Sequence, residues 1–228
     1  MSSVKPIRNY SPSEEAWHAI THGVAAVLSV VGLVFLILKA AQVGGVSVMV
    51  AVALYGGFMV VMYVCSTLYH SFFRSRFTPL LKTLDHSSIY FKIAGAYTPF
   101  ALITLPATAG IWVMVGAWGA AVLGTVLKFR GYLRQSSKKF SPVSLLLYLG
   151  MGWAGVLMIG ELMDRLPAAA IWWLIAGGVC YTVGALFYAL KSIPYTHAVW
   201  HVFVMAGSAC HFVTIYVYVM QSGLDVAA

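Results

Sequence analysis

Long apolar runs separated by short polar breaks fill the whole sequence, and this pattern predicts the fold. Seven runs lie near residues 17–39, 46–72, 83–105, 109–129, 142–163, 167–190 and 196–220. They are about 23 residues long, slightly more than the roughly 20 that an α-helix needs to cross a bilayer core. The pattern predicts an all-α seven-transmembrane helix bundle. We expect a single domain over residues 1–228, in which residues 1–16 form a short N-terminal segment.

The composition agrees with a membrane protein. Hydrophobic residues make up 61% of the chain and charged residues only 9%, whereas soluble domains carry about 25% charged residues. A water-soluble globular fold is therefore excluded, and the polar breaks are too short for a separate soluble domain. The three cysteines lie inside apolar runs and are too few for a disulfide framework or a Cys-rich zinc site.

Basic residues indicate the orientation of the chain. With a cytoplasmic N-terminus, the inside segments hold Lys5, Arg8, Arg74, Arg76, Lys82, Lys128, Arg130, Arg134, Lys138, Lys139 and Lys191, and the outside segments hold Lys39 and Arg165. This excess predicts a cytoplasmic N-terminus and an outside C-terminus, with Lys92 left inside the third run. Topology and anionic head groups then account for the net charge of +8, and we expect no nucleic-acid partner.

Ionisable residues gather at the cytoplasmic ends of three runs. His70 ends the second run, Asp85 begins the third, and His197 and His201 begin the seventh at a spacing of four residues. That spacing places both imidazoles on one helical face, as it also does for Ser66 and His70. Ionisable side chains retained in a membrane usually face the bundle interior and mark function.

Three imidazoles match the ligand set of a catalytic zinc site, which leaves a fourth position for water. We therefore predict that His70, His197 and His201 bind Zn²⁺, although imidazole also suits copper, nickel and iron. The alternative is that these histidines only form hydrogen bonds between helices.

Two further residues are candidates for catalysis. Asp85 can bind the metal, orient a histidine or act as a general base toward bound water, or it can simply begin a helix. Ser66 can donate a hydrogen bond to a developing oxyanion, or it can pack between helices.

The remaining histidines have weaker assignments. Glu14, His18 and His22 form a stripe that is either a second shell or lid over the site or an interfacial stripe in contact with water. His86 lies about 100° around the helix from Asp85, so we expect it to have a different partner. We expect His211 to be a buried packing residue.

These motifs resemble the progestin and adipoQ receptor (PAQR) family, and specifically its bacterial branch, hemolysin III. The resemblance rests on Ser66-x-x-x-His70, Asp85 and His197-x-x-x-His201, and on the stretches at 21–23, 85–90, 94–100 and 200–203. It implies seven helices, a cytoplasmic N-terminus, zinc held by the three histidines and Asp85 in contact with the zinc-bound water. The related alkaline ceramidases imply that Ser66 assists amide hydrolysis.

The leading hypothesis is a zinc-dependent hydrolase of lipid metabolism that cleaves an amide or ester of a membrane lipid, located in the bacterial cytoplasmic (inner) membrane. One alternative is a non-catalytic sensor or regulator with a structural zinc site. A second is a pore-forming hemolysin, although runs four to six contain almost no ionisable residues through their middles. Receptor members have a longer N-terminal region, which argues against hormone signalling.

Overall fold

The structure, a computed structural model, describes residues 10–134 and 142–221, and its regular elements there are all helical. The α-helices are α1 (Pro12–Val43), α2 (Val46–Ser71), α3 (Thr78–Pro99), α4 (Ala107–Leu133), α5 (Pro142–Trp153), α6 (Ile159–Arg165), α7 (Ala168–Ala189) and α8 (Thr196–Val213). The π-helical turns Phe100–Thr104 and Thr214–Val219 extend α3 and α8, and the 3-10 turn Ala154–Met158 joins α5 to α6. The predicted all-α class is confirmed.

Six helical segments are long and apolar enough to cross a membrane: Pro12–Val43, Val46–Ser71, Ala107–Leu133, Val143–Arg165, Ala168–Ala189 and Thr196–Val219. Many of their large apolar side chains face outward, among them Val27, Leu28 and Leu38 of α1. Apolar surface of this extent is favourable in lipid and not in water. The chain is therefore a multi-pass integral membrane protein. The prediction of a cytoplasmic N-terminus rests partly on basic residues at 1–9 and 135–141, which lie outside the described residues. The C-terminus, predicted to be outside, also lies beyond them.

Helix α1 begins at Pro12, five residues before the predicted apolar run. Ser11 and Glu14 form a capping box: the Ser11 amide donates to Glu14 Oε2 at 2.8 Å, and the Glu14 amide donates to Ser11 Oγ at 3.3 Å. The Tyr195 amide donates to the other Glu14 oxygen at 3.0 Å. Because Tyr195 directly precedes α8, Glu14 joins the beginnings of α1 and α8.

Of the six long apolar segments, the rod formed by α5 and α6 is the least buried. In its most apolar 18-residue stretch, within Val143–Arg165, no residue is buried. Its 3-10 turn changes the hydrogen-bond pattern, which leaves carbonyl groups without helical partners. The Tyr97 hydroxyl donates to two carbonyl oxygens next to this turn, those of Met151 and Gly152. Tyr97 thus holds the rod to α3 at the turn.

Close packing elsewhere depends on glycine at points where helices meet. A Cβ atom added to Gly110 of α4 would overlap the carbonyl oxygen of Ala101 in the turn after α3. A Cβ atom added to Gly116, further along the same helix, would meet no atom within 4 Å.

We expect Gly110→Ala to destabilise the protein by about 1–3 kcal/mol, because the backbone of Ala101 must move to admit the methyl group. Gly116→Ala is the matched control and should change stability by less than about 1 kcal/mol. The measurement is thermal unfolding of the two variants in the same detergent. Equal melting temperatures for both variants would contradict the close contact between α4 and the turn after α3.

Candidate metal centre and adjoining cavity

Five histidines from three helices meet at one end of the bundle. Helix α1 supplies His18 and His22, α2 supplies His70 from its last turn, and α8 supplies His197 and His201 from its first turns. All five are buried, and the most exposed, His197, is only 8% exposed. The i, i+4 spacings in α1 and α8 place each pair on the face that looks toward the other helices.

The structure brings the three predicted metal ligands together. The ring centroids of His70 and His197 are 5.2 Å apart, those of His70 and His201 are 5.3 Å apart, and those of His197 and His201 are 4.8 Å apart. A fourth histidine, His18, lies at the same centre. Ligand atoms of His18, His70 and His197 all lie within 4.8 Å of one another, so these three could hold a metal ion. In this set, His18 takes the place predicted for His201, whose ring lies nearby.

Glu15 orients two of these rings. Its Oε2 atom lies 2.6 Å from His70 Nδ1 and 3.5 Å from His18 Nδ1. A carboxylate accepts hydrogen bonds, so both Nδ1 atoms carry the proton and both Nε2 atoms keep a free lone pair. This is the tautomer that a metal-binding imidazole needs, and carboxylate contacts of this kind are common behind metal ligands.

Hydroxyl groups hold the two histidines of α8. The Thr21 hydroxyl donates to backbone carbonyls of its own helix, at 2.8 Å to Trp17 and 3.0 Å to His18. Its oxygen therefore accepts the 3.0 Å hydrogen bond from His201 Nδ1, which leaves His201 Nε2 with a lone pair.

Tyr10, which precedes α1, holds the other histidine of α8. Its hydroxyl lies 3.2 Å from His197 Nδ1. Burial, together with the carboxylates of Glu15 and Glu14, raises the pKa of Tyr10 to about 12. The tyrosine is therefore a neutral hydroxyl at physiological pH.

Unpartnered Nε2 atoms are the feature that a metal ion would explain, for up to four histidines of this cluster. Those of His18, His22, His70, His197 and His201 are buried and have no hydrogen-bond partner among the described residues. A buried polar atom without a partner costs about 1–3 kcal/mol, so five in one place need an explanation. Zinc binds imidazole nitrogen readily, and the donor set fits such an ion.

Of the two predicted catalytic residues, Ser66 contacts the histidine cluster, and Asp85 shares a cavity wall with His22. Ser66 Oγ is 2.8 Å from His22 Nδ1, and the His22 ring stacks on that of His201 with centroids 3.4 Å apart. Asp85 is 5% exposed, and its Oδ2 lies 3.0 Å from His86 Nδ1. The expectation that His86 has a different partner is wrong, because the imidazole turns back along the helix surface toward the preceding carboxylate.

A cavity of about 210 Å³ lies within the bundle, and the histidine cluster reaches its wall through His22. His22 and Asp85 belong to its wall, and α3, α5, α6, α7 and α8 form most of the rest. Apolar and aromatic side chains dominate the wall, among them Tyr97, Trp153 and Trp200. Apolar cavities with a few polar groups at one place are the usual form of small-molecule sites.

Sequence reasoning did not assign His18 as a possible ligand and gave no role to Glu15. Both lie in the first turns of α1, where polar residues are also expected simply because a helix emerges into water. The signal that could have found them is the three-residue spacing from Glu15 to His18 at the same membrane side as His70. His211, expected to be a packing residue, packs beside Gly177 and contacts the Tyr181 ring.

The fold and the histidine cluster together define a class: an integral membrane protein of bundled helices with a candidate metal centre at one end. The sequence pattern of the family described as Haemolysin-III related matches residues 10–212. The chain belongs to this family, and the membership predicted from its motifs is confirmed.

Individual relatives support the family assignment. Hemolysin-3 of Bacillus cereus is 40% identical over 209 residues, which cover 92% of this chain and 93% of that protein. The Hemolysin-3 homolog of Bacillus subtilis (strain 168) is 39% identical over 212 residues, 93% of this chain and 97% of the relative. Human Monocyte to macrophage differentiation factor is 28% identical over 182 residues, 75% of this chain and 71% of the relative.

Proposed function

We propose that the protein is a zinc-dependent hydrolase that cleaves an amide or ester of a membrane lipid. The observation that carries this proposal is a cluster of buried imidazoles with unpartnered nitrogens that adjoins an apolar cavity through His22. The wall of that cavity also includes a carboxylate, Asp85. The cavity offers a place for the hydrocarbon part of a lipid. The histidines offer a place for a metal beside it.

His70, His197 and His201 would hold the zinc, with His18 at the same centre. The ion would supply Lewis-acid polarisation of a carbonyl group and make water more acidic. Asp85 accepts the proton that water loses, because it is a buried carboxylate in the cavity wall that also includes His22. Ser66 donates a hydrogen bond to the carbonyl oxygen as negative charge develops there, and His22 positions its hydroxyl.

We further propose that the six long apolar segments and α3 all cross the bacterial cytoplasmic membrane as one seven-helix domain, with the N-terminus in the cytoplasm. Helix α3 is more polar than the other six because it carries Lys82, Asp85 and Lys92. Its 22 residues still measure about 33 Å at the helical rise, enough for a hydrocarbon core of about 30 Å. Two of its charged residues, Asp85 and Lys92, face the bundle, since both are buried.

Asp85→Asn tests the catalytic assignment. We expect the variant to keep its metal and its fold and to lose turnover by about 10²-fold to 10⁴-fold, because an amide cannot accept the proton. Purified protein with bound zinc is incubated with a panel of ceramides and acyl lipids, and products are measured by mass spectrometry. Asp164→Asn, on the exposed end of α6, is the matched control and should retain full activity.

Two results would contradict the hydrolase. One is a zinc-loaded wild-type protein that cleaves no member of the lipid panel. The other is an Asp85→Asn variant that turns over lipid at the wild-type rate.

A second candidate function is a non-catalytic sensor or regulator in which zinc ties the helices together. The observation in its favour is His18, because a fourth imidazole can close the tetrahedral coordination that structural zinc sites prefer. On this reading, Asp85→Asn has little effect on any phenotype. The names of the bacterial relatives suggest a pore as another function. A pore is not favoured, because a water-filled path needs a polar lining and the cavity wall is mostly apolar.

A further inference from the structure

A buried lysine lies in the middle of the bundle, away from the histidine cluster. Lys92 is seven residues beyond Asp85 on α3, about 10 Å along the helix axis. Its side chain is only 7% exposed and belongs to the cavity wall. Neither the metal centre nor the proposed hydrolysis gives this cation a role.

Tyrosine and serine side chains fix the position of the ammonium group. Lys92 Nζ donates to the Tyr181 hydroxyl of α7 and lies 4.1 Å from the centre of the Tyr181 ring. The Tyr181 hydroxyl is 3.1 Å from Ser208 Oγ of α8, which accepts a 2.7 Å hydrogen bond from the Tyr63 hydroxyl. A chain of hydrogen bonds across four helices therefore holds Lys92 beside the cavity.

The contacts of Lys92 leave most of its bonding capacity unused. An ammonium group has three N–H donors, and Tyr181 is its one hydrogen-bond acceptor among the described residues. No carboxylate of the described residues forms an ion pair with it. A cation in an apolar, membrane-buried site is costly without an anion, and such residues usually mark a ligand or ion pathway.

We propose that Lys92 is the anion-binding group of this cavity, and that the cavity takes a single-chain amphiphile with a carboxylate head. The carboxylate contacts Lys92 Nζ, and the hydrocarbon chain lies along apolar wall residues such as Leu162 and Leu174. This binding needs no metal and no hydrolysis, so it holds whichever function the histidine cluster performs. It adds a second recognition point, about 10 Å from Asp85.

The competing explanation is that Lys92 only ties α3 to α7 through Tyr181. Both explanations predict that removal of the lysine affects stability. Only the proposed role predicts that the lysine distinguishes a charged head group from a neutral one of the same chain length. A comparison of two such ligands therefore separates the explanations.

The test uses full-length protein, stripped of metal with a chelator so that a carboxylate cannot bind at the histidines. Radiolabelled palmitic acid and hexadecanol, which share a 16-carbon chain, are the two probes, and their affinities are measured in neutral phosphatidylcholine nanodiscs. The variants are Lys92→Met and Lys92→Gln, the second of which keeps a polar contact with Tyr181. Lys39→Met is the matched control, because Lys39 also contacts a tyrosine, Tyr216, but lies outside the cavity wall.

We expect wild-type protein and Lys39→Met to bind palmitate about tenfold to hundredfold more tightly than hexadecanol, the range expected for a hydrogen bond to a charged group. Both Lys92 variants should bind hexadecanol as wild type does and lose the preference. Hexadecanol binding thus reports an intact cavity in each variant. Equal affinities of wild-type protein for the two probes, or a preference that survives in a Lys92 variant with intact hexadecanol binding, would overturn the proposal.

Discussion

His70→Ala is expected to reduce the metal content of the purified protein from about one ion per chain to less than about a tenth of an ion per chain. A zinc site loses most of its affinity for the metal when one of its ligands is removed. His70 belongs to both possible ligand sets, the one with His18 and His197 and the one with His197 and His201. Its ligand atom lies within 4.8 Å of those of His18 and His197, and its ring centroid is 5.3 Å from that of His201. Metal content is measured by mass spectrometry of elements after gel filtration. Added zinc should also raise the melting temperature of wild type but not of the variant.

His211→Ala is the matched control for this experiment. His211 also comes from the interior of the bundle and lies in the cavity wall, but it is ten residues beyond His201 on α8. We expect this variant to keep the wild-type metal content. A His70→Ala protein that retains a full ion, or a His211→Ala protein that loses it, would place the metal elsewhere.

Glu15→Gln is expected to weaken metal binding by about tenfold to hundredfold, the usual effect of losing a carboxylate behind a metal ligand. The Glu15 carboxylate accepts from the Nδ1 atoms of both His70 and His18. The neutral amide is a poorer acceptor and no longer favours the tautomer whose Nε2 lone pair faces the centre. Affinity is measured by competition with a chromophoric chelator at fixed pH.

The neighbouring residue provides the control. Glu14 is equally buried, but its carboxylate accepts hydrogen bonds from the backbone amides of Ser11 and Tyr195. A glutamine at this position keeps only one acceptor oxygen, so Glu14→Gln loses one of these two backbone bonds. The change should affect mainly the helix start and leave metal affinity within about threefold of wild type. Equal losses from both variants would mean that the charge of this region matters, and not the contact of Glu15 with the histidines.

The arrangement of helices was largely predictable from the sequence because a bilayer imposes a simple rule. A span must be apolar over a fixed length, so the runs at 46–72 and 196–220 correspond closely to Val46–Ser71 and Thr196–Val219. The start of α1 was not predictable from hydropathy, because its first turn is polar. A capping box, and not an apolar run, determines where that helix begins.

The candidate site was predictable in part for a related reason. Topology alone places the last turn of α2 and the first turn of α8 at the same membrane side, which is why His70, His197 and His201 were expected to meet. Topology does not specify the rotation of α1 about its own axis. That rotation, fixed by packing and by the contact of Glu14 with Tyr195, decides that His18 faces the cluster instead of water.

The cavity could not be predicted from the sequence. Lys92 was recognised only as a cation left within an apolar run, since nothing local says which way a lysine in a helix points. The space beside it lies between α3, α7 and α8 and the rod of α5 and α6, and such a space depends on the packing of several helices at once.

We infer that imidazoles from α1, α2 and α8 hold one metal ion. X-ray absorption at the zinc edge of the purified, zinc-loaded protein tests it most directly. We expect a shell of nitrogen and oxygen atoms at about 2.0–2.1 Å, the outer-shell pattern of at least three imidazoles and no sulfur. A sulfur shell at about 2.3 Å, or a spectrum of solvated zinc without imidazole features, would contradict the claim.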